Sequence, residues 1–350
     1  MAQDKPCALI SEVGGEGFIQ EAVDIMKQHF QIITHQEFLQ NPSLSSKIQV
    51  VFLWDNKPQI EPSLISSLPA LKLIANGGVG IDHLDIAHLK SLGIRVSNTP
   101  HVVSNATADM AMGLLLASAR RIVEGHLICV DPNTTKFPRT QMGFEVTGST
   151  LGIIGMGHIG FKIAQRGRGF DMKILYHNRN RRSYEDEQAV GAVYFKNKEE
   201  LLREADFVVL AVNLTPETTG LIGHKELSLM KPTATLVNIS RGRVVDQDAL
   251  VEALQNRTIR AAALDVTYPE PLPRIICQLL LNSRKDFYTI IPACTLLRTR
   301  DHPLLHLPNV IITPHSGTDT AATIVKMVQT MVDNGVAAVQ GQQIPNEVQP

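Results

Sequence analysis

A glycine loop that opens a helix at residue 155, rather than near the start of the chain, constrains this 350-residue sequence more than any other feature. Gly155-Met156-Gly157-His158-Ile159-Gly160 fits G-x-G-x-x-G. It follows a predicted strand, Leu151 to Ile154, and leads into a helix predicted from about His158. In that setting each glycine has a physical task. Gly155 permits the tight turn, Gly157 lets backbone approach a pyrophosphate, and Gly160 allows close helix–strand packing with the anion at the helix N-terminus. A dinucleotide fold that starts so late leaves a full α/β unit ahead of it. Two domains are therefore expected, as about 150 residues per domain also suggests.

The rest of the pattern is α/β throughout. Strand candidates are Ala8 to Ile10, Val50 to Trp54, Leu73 to Ala75, Ile94 to Val96, Leu151 to Ile154, Lys173 to Tyr176, Phe207 to Val212, Thr235 to Ile239, Ala261 to Val266 and Val310 to Thr313. Most are unbroken aliphatic runs, the mark of parallel strands buried on both faces. Helical stretches such as Phe18 to Phe30 and Asp246 to Asn256 fall between them, which predicts doubly wound parallel sheets. The longest helix is expected from about Asn105 to Ile122, capped by Ser104 and buried on more than one face. Gly125 to Gly148 carries Pro132, Pro138, Gly143 and Gly148 with little periodicity and reads as an extended arm or loop.

Composition narrows the function classes. Thirty-three Lys+Arg against 34 Asp+Glu leave a net charge of −1, so nothing global draws the chain to nucleic acid or an anionic membrane. Cys7, Cys129, Cys277 and Cys294 are too scattered for a disulfide framework or a Cys-rich zinc site. His302 and His306 have helical ligand spacing, but Pro303 lies between them, and no metal is expected. No apolar run approaches the roughly 18 residues of a membrane span. The first residues lack a signal-peptide design and the last carry no address, so the expected location is the cytoplasm.

About twenty residues beyond the glycine loop, an NAD-specific site places an acid on the ribose 2′-hydroxyl. This chain has Tyr176-His177-Asn178-Arg179-Asn180-Arg181-Arg182 instead. With Asn178 in place of a carboxylate and Arg179 able to grip a 2′-phosphate through its fork, NADP(H) is the expected cofactor and NAD(H) a possible one.

Three motifs sit at predicted strand ends, where open parallel sheets bind ligands. They are Asn238-Ile239-Ser240-Arg241-Gly242, Asp265-Val266-Thr267-Tyr268-Pro269-Glu270-Pro271-Leu272-Pro273 and Thr313-Pro314-His315-Ser316-Gly317. Singly, each has a bland explanation: Arg241 and Glu270 as a surface ion pair, His315 as a satisfied core histidine. Beside a nicotinamide site they supply what carbonyl reduction needs. These are a guanidinium for a 2-keto acid, an imidazolium to deliver a proton, and a carboxylate to orient that imidazole and raise its pKa.

In these motifs, over nearly the whole chain, the sequence resembles the D-2-hydroxyacid dehydrogenase family, most closely its glyoxylate/hydroxypyruvate reductase branch. The resemblance implies Arg241 as substrate anchor, His315 as general acid/base and Glu270 as its partner. It further implies that Asn76 to Asp82 is a substrate loop, with the Val79 and Gly80 amides on the substrate carboxylate. Cofactor contacts carried over are His158, Ile159, Arg179, the Val212 to Thr215 stretch with Asn213, Ile239, Asp265 and Gly317. The implied architecture is a Rossmann-type dinucleotide domain (residues 99–317) inserted into a flavodoxin-like substrate domain (1–98 and 318–350), dimerising through the cofactor domain. The implied reaction is NADPH-dependent reduction of glyoxylate to glycolate or hydroxypyruvate to D-glycerate. A 2-ketogluconate reductase is a second reading. A non-catalytic NAD(H)-sensing scaffold is a third, because the family resemblance extends to transcriptional corepressors.

One segment departs from the family pattern. Removing residues 275–300 joins Pro273-Arg274 to Asp301 and restores the expected text, and an arginine stands at both ends of the excess. The segment is apolar without an amphipathic face, for example Ile275-Ile276 and Leu279 to Leu281. It reads as a product of alternative splicing or an imperfect gene model; a genuine functional loop is the other reading. Chain closure is cheap, at about 0.6 kcal/mol per doubling of loop length. The exposed apolar side chains and the tether just after Glu270 are the serious costs. The 350-residue chain is expected to fold but to be less soluble and less active with glyoxylate and NADPH than a version lacking 275–300. Parallel light-scattering and kcat/KM measurements compare the two; a long form that is equally soluble and more active would make the segment a functional element.

Overall fold

The computed structural model describes residues 5–136, 142–273 and 301–349, so the 275–300 segment, with Cys277 and Cys294, lies outside the described residues. The chain divides into two compact units, one of residues 1–107 with 318–350 and one of 108–317. Each is built on its own parallel sheet.

In the first unit the strands are β1 (Cys7–Ile10), β2 (Gln31–Thr34), β3 (Ile48–Leu53), β4 (Leu73–Asn76) and β5 (Arg95–Ser97), in the order β2-β1-β3-β4-β5. All pairings are parallel, and the order is the flavodoxin-like one. Its strands read as continuous apolar runs because both faces are covered. Within β3, Val50 and Phe52 join one core cluster, with Phe30 and helix Ala321–Val339, while Ile48, Val51 and Leu53 join another.

The second unit holds β6 (Thr150–Ile154), β7 (Lys173–His177), β8 (Ala192–Tyr194), β9 (Phe207–Leu210), β10 (Thr235–Asn238), β11 (Ala261–Leu264) and β12 (Val310–Ile312). Their order, β12-β11-β10-β9-β6-β7-β8, is the Rossmann arrangement with one further strand, and every pair is parallel. Alternate residues of β9 again face opposite cores, Phe207 and Val209 one way, Val208 and Leu210 the other. The topological switch lies between β6 and β9, and the glycine loop leaves the end of β6 there.

Three local expectations need correction. The pattern missed β2 and β8, both edge strands of three or four residues with few buried positions, where a one-sided environment leaves no apolar run. Gly125 to Gly148 is not all extended. Residues Ile122–Val130 form a helix, entered through Arg121 in the left-handed region (φ 53°). Gly125 inside it disguises the pattern at a cost of about 1 kcal/mol relative to alanine. Finally, Ser104 does not cap the long helix. The helix spans Ser104–Ala119, already led in by the Ser104 N–H to His101 O bond, and the buried Ser104 hydroxyl has no partner among the described residues. No helix among the described residues is long and apolar enough to cross a membrane.

Candidate active site

The glycine loop is built as its spacing requires. Gly155 has φ +99°, and a Cβ there would stand 2.5 Å from the carbonyl of Ala211 and 2.7 Å from Val212 Cγ1. The β6 and β9 loops therefore meet at the switch point. Gly160 packs the helix His158–Gly169 onto the loop so closely that a Cβ would lie 2.3 Å from Gly155 O. A Cβ on Gly157 meets nothing within 4 Å, and among the described residues no side chain caps this helix, which leaves room for a ligand at its N-terminus. That geometry fits a dinucleotide pyrophosphate.

The segment after β7 separates three arginines that look alike in the sequence. Arg181 forks onto Glu187 (2.8 and 2.7 Å), and Arg182 binds Asp186 and donates to Met156 O (3.0 Å). Arg179 is exposed. Glu217, in the β9 loop, has its carboxyl lowered first by the Thr215 hydroxyl and also by the charge of Arg179, so the two loops face one another. Asn178 accepts from Met156 N (2.6 Å) and donates to Met156 O (3.2 Å), tying the β7 loop to the glycine loop.

Sequence reasoning passed over Glu187 and Tyr176. Glu187 is only 4% exposed, and Tyr176 is fully buried with its hydroxyl 2.5 Å from that carboxylate. The Arg181 fork drives Glu187 down to about 2, whereas burial and then Glu187 push Tyr176 up to about 12. The available signal was a tyrosine directly after two aliphatic residues in a predicted buried strand, since a buried hydroxyl needs a partner.

Val212, Asn213 and Thr215 lie in the β9 loop, which Thr218 closes by donating to Asn213 O (2.7 Å) and accepting from Thr215 N (2.8 Å). Ile239 follows β10 and is buried. Asn238, 1% exposed, accepts from Ser240 N and Oγ and donates to Arg241 O, shaping the turn that carries Arg241.

Glu270 and His315 come together after β11 and β12. His315 Nδ1 is 3.0 Å from Glu270 Oε2, and the other carboxylate oxygen accepts from Thr267 N (2.8 Å). Asp265, 2% exposed, accepts from Thr313 Oγ1 (2.6 Å), Ser316 N (3.0 Å) and Gly317 N (2.8 Å), and its carbonyl accepts from His315 N (2.8 Å). The Asp265 and Gly317 polar groups are thus engaged with each other, holding His315 at φ 53°. Such left-handed non-glycine residues cluster at functional sites.

The hydrogen bond to Glu270 raises the His315 pKa. Burial and the charge of Arg241 oppose the rise, and the Glu270 and Asp265 charges assist it. For Glu270 burial pushes upward, but the His315 bond and charge, the Thr267 amide and Arg241 together hold the carboxyl below its usual value. The pairing favours the imidazolium–carboxylate form, which can give up a proton from Nε2. Among the described residues no group of three or more His, Cys, Asp or Glu could hold a metal.

Val79 and Gly80 lie in the other unit, in the loop after β4. Gly78 there has φ +127°, and its N–H donates to Thr99 Oγ1 (2.9 Å).

Residues 112–317 match the NAD binding domain of the D-isomer specific 2-hydroxyacid dehydrogenases. Over 338 residues the chain is 37% identical to the glyoxylate reductase of Thermococcus gammatolerans, covering 94% of this chain and 92% of that protein. The Aeropyrum pernix glyoxylate reductase is likewise 37% identical over 340 residues, covering 94% and 92%. Among solved structures, the NADPH-dependent glyoxylate/hydroxypyruvate reductase of Sinorhizobium meliloti, in complex with NADP and malonate, superposes with a TM-score of 0.79. It is 25% identical and covers 99% of this chain and 97% of that one. In sequence and in fold, this chain belongs to the D-isomer specific 2-hydroxyacid dehydrogenase family.

Proposed function

We propose that the chain reduces small 2-keto acids, glyoxylate to glycolate and hydroxypyruvate to D-glycerate, preferring NADPH over NADH. The observation that carries this reading is the 3.0 Å pairing of His315 with Glu270, within electrostatic reach of Arg241, in the unit that also holds the glycine loop. The five-stranded unit takes the substrate and the seven-stranded unit the dinucleotide. Bound NADPH supplies a hydride to the carbonyl carbon. With Nδ1 on Glu270, His315 presents Nε2 to the carbonyl oxygen as general acid. The Arg241 fork takes the keto acid's carboxylate and carbonyl oxygen, and the Val79 and Gly80 amides hold the carboxylate. The presence of Arg241, Glu270 and His315 together favours catalysis over a non-catalytic scaffold.

Among the described residues, Arg179 is the arginine after β7 with no ion pair of its own, while Arg181 and Arg182 are bound to acids. It is the residue we assign to the 2′-phosphate. A panel of 2-keto acids, including 2-ketogluconate, assayed with NADPH and NADH tests the function. Arg179→Ala is expected to raise KM for NADPH far more than for NADH. Equal effects on both would remove the assignment, and a preference for 2-ketogluconate would move the substrate.

Proton delivery requires protonated His315. Its pKa lies above the ordinary value of about 6.5, so kcat/KM for reduction is expected to fall as pH rises past that raised value. Glu270→Gln removes the anion and moves the falling limb to lower pH, while His315→Ala lowers kcat by about 10²–10⁴-fold with NADPH binding retained. Full activity in His315→Ala, or an unmoved limb in Glu270→Gln, contradicts the roles.

We further propose a homodimer acting in the cytoplasm, a reducing compartment that suits the scattered cysteines. In helix Ile122–Val130 the exposed Val123, Leu127 and Val130 share one face with exposed Ile122 at its margin, and exposed Phe144 is held nearby by its N–H to Ala119 O. A second copy of this chain is the occupant such a stripe fits. Leu127→Asp is expected to shift the sedimentation profile from dimer to monomer; an unchanged profile excludes this face.

A further inference from the structure

Three successive carbonyls in the loop after β4 are drawn to one side. Gly78 O accepts from Thr99 N (3.0 Å) and Asn76 Nδ2 (3.4 Å), Val79 O from Asn98 Nδ2 (2.9 Å), and Gly80 O from Asn76 Nδ2 (2.9 Å). A trans peptide holds each C=O antiparallel to the following N–H. The N–H groups of Val79, Gly80 and Ile81 are therefore turned the opposite way, and none has a hydrogen-bond partner among the described residues. Successive outward amides of this kind form an anion-binding concavity.

The Val79–Gly80 peptide depends on one side chain, Asn98. That residue is held in turn: its carbonyl accepts from Asn334 Nδ2 (3.4 Å), and its N–H donates to Asn346 O (3.3 Å). Asn334 is fully buried in helix Ala321–Val339, and its Oδ1 accepts from both Asn346 N and Asn346 Nδ2 (3.2 Å each). A buried amide engaged at both ends cannot turn over without leaving donors and acceptors unpaired.

We propose that Asn98, and through it Asn334, are positioning residues for carboxylate recognition. The relay from the C-terminal helix through Asn98 to Val79 O sets the direction of the Gly80 N–H that meets the 2-keto acid. This rests on the reductase reading above. Without the Asn98 amide, Val79 O has no partner, and the peptide, followed by a glycine, is free to rotate.

The test uses the whole chain, with oxamate as a non-reducible carboxylate probe. Asn98→Ala is expected to raise KM for glyoxylate and the calorimetric Kd for oxamate in the NADPH complex by about tenfold, the scale of one hydrogen bond to a charged group. Because the dyad and the glycine loop lie in the other unit, kcat should stay within about threefold and the Kd for NADPH within about twofold. Asn98→Asp, equal in size but without the donor, should behave like alanine. Asn334→Asp, which keeps the acceptor for Asn346 and loses the donor to Asn98, should raise the oxamate Kd by about threefold. Normal oxamate binding in folded Asn98→Ala, full recovery in Asn98→Asp, equal weakening of NADPH and oxamate, or no oxamate binding by the wild type would each overturn the proposal. A wild type that binds oxamate but reduces no 2-keto acid counts against the reductase reading alone, and the oxamate comparison still decides the relay.

Discussion

A parallel strand that ends must pass its last peptide groups to new partners, because the ladder beyond it is gone. In both sheets that need is met by short polar side chains near the carboxyl ends of strands, and the candidate site depends on them. Asn76 collects carbonyls of the loop after β4, Asn178 takes both backbone groups of Met156, Asn238 fixes the turn before Arg241, and Asp265 gathers two amides and a hydroxyl around His315. Asn76, Asn238 and Asp265 are each nearly inaccessible. Leaving such a backbone group unpaired costs about 1–3 kcal/mol, so each loop has one favourable course. The shape of the site follows from satisfying the backbone, before any ligand arrives.

This constraint also explains what could be read from the sequence. The two parallel sheets were legible because strands covered on both faces are apolar nearly throughout, as β9 is at every position and β3 and β6 are at all but one or two. Edge strands β2 and β8 escaped because each is short and carries a single buried residue, so no apolar run marks it. The glycine loop was legible since its steric demands act between residues close in sequence. Gly155, Gly157 and Gly160 span a single turn.

The fates of Arg179, Arg181 and Arg182 were not legible. They depend on helix Tyr184–Val190 folding back to place Glu187 beside Tyr176, a consequence of packing rather than of spacing. The same is true of Asn98 and Asn334, which are 236 positions apart and meet only because the C-terminal helix packs against the first sheet. Residues 275–300 interrupt a motif whose two flanks still reach each other. His302 N donates to Pro273 O at 3.1 Å, so the chain on either side of the excess resumes the course that positions Glu270.

The charges around His315 carry the argument from shape to chemistry. Glu270 and Asp265 favour its protonated form, while burial and Arg241 oppose it. Arg241 alone beside an imidazole would disfavour its charged form. In the proposed reaction, a substrate carboxylate on Arg241 would offset the opposing charge and so strengthen the protonated state when a carbonyl is present to accept the proton. Substrate binding and proton availability are then coupled through one guanidinium. That coupling needs Arg241 and His315 on rigid turns, which Asn238 and Asp265 provide from adjoining parallel strands.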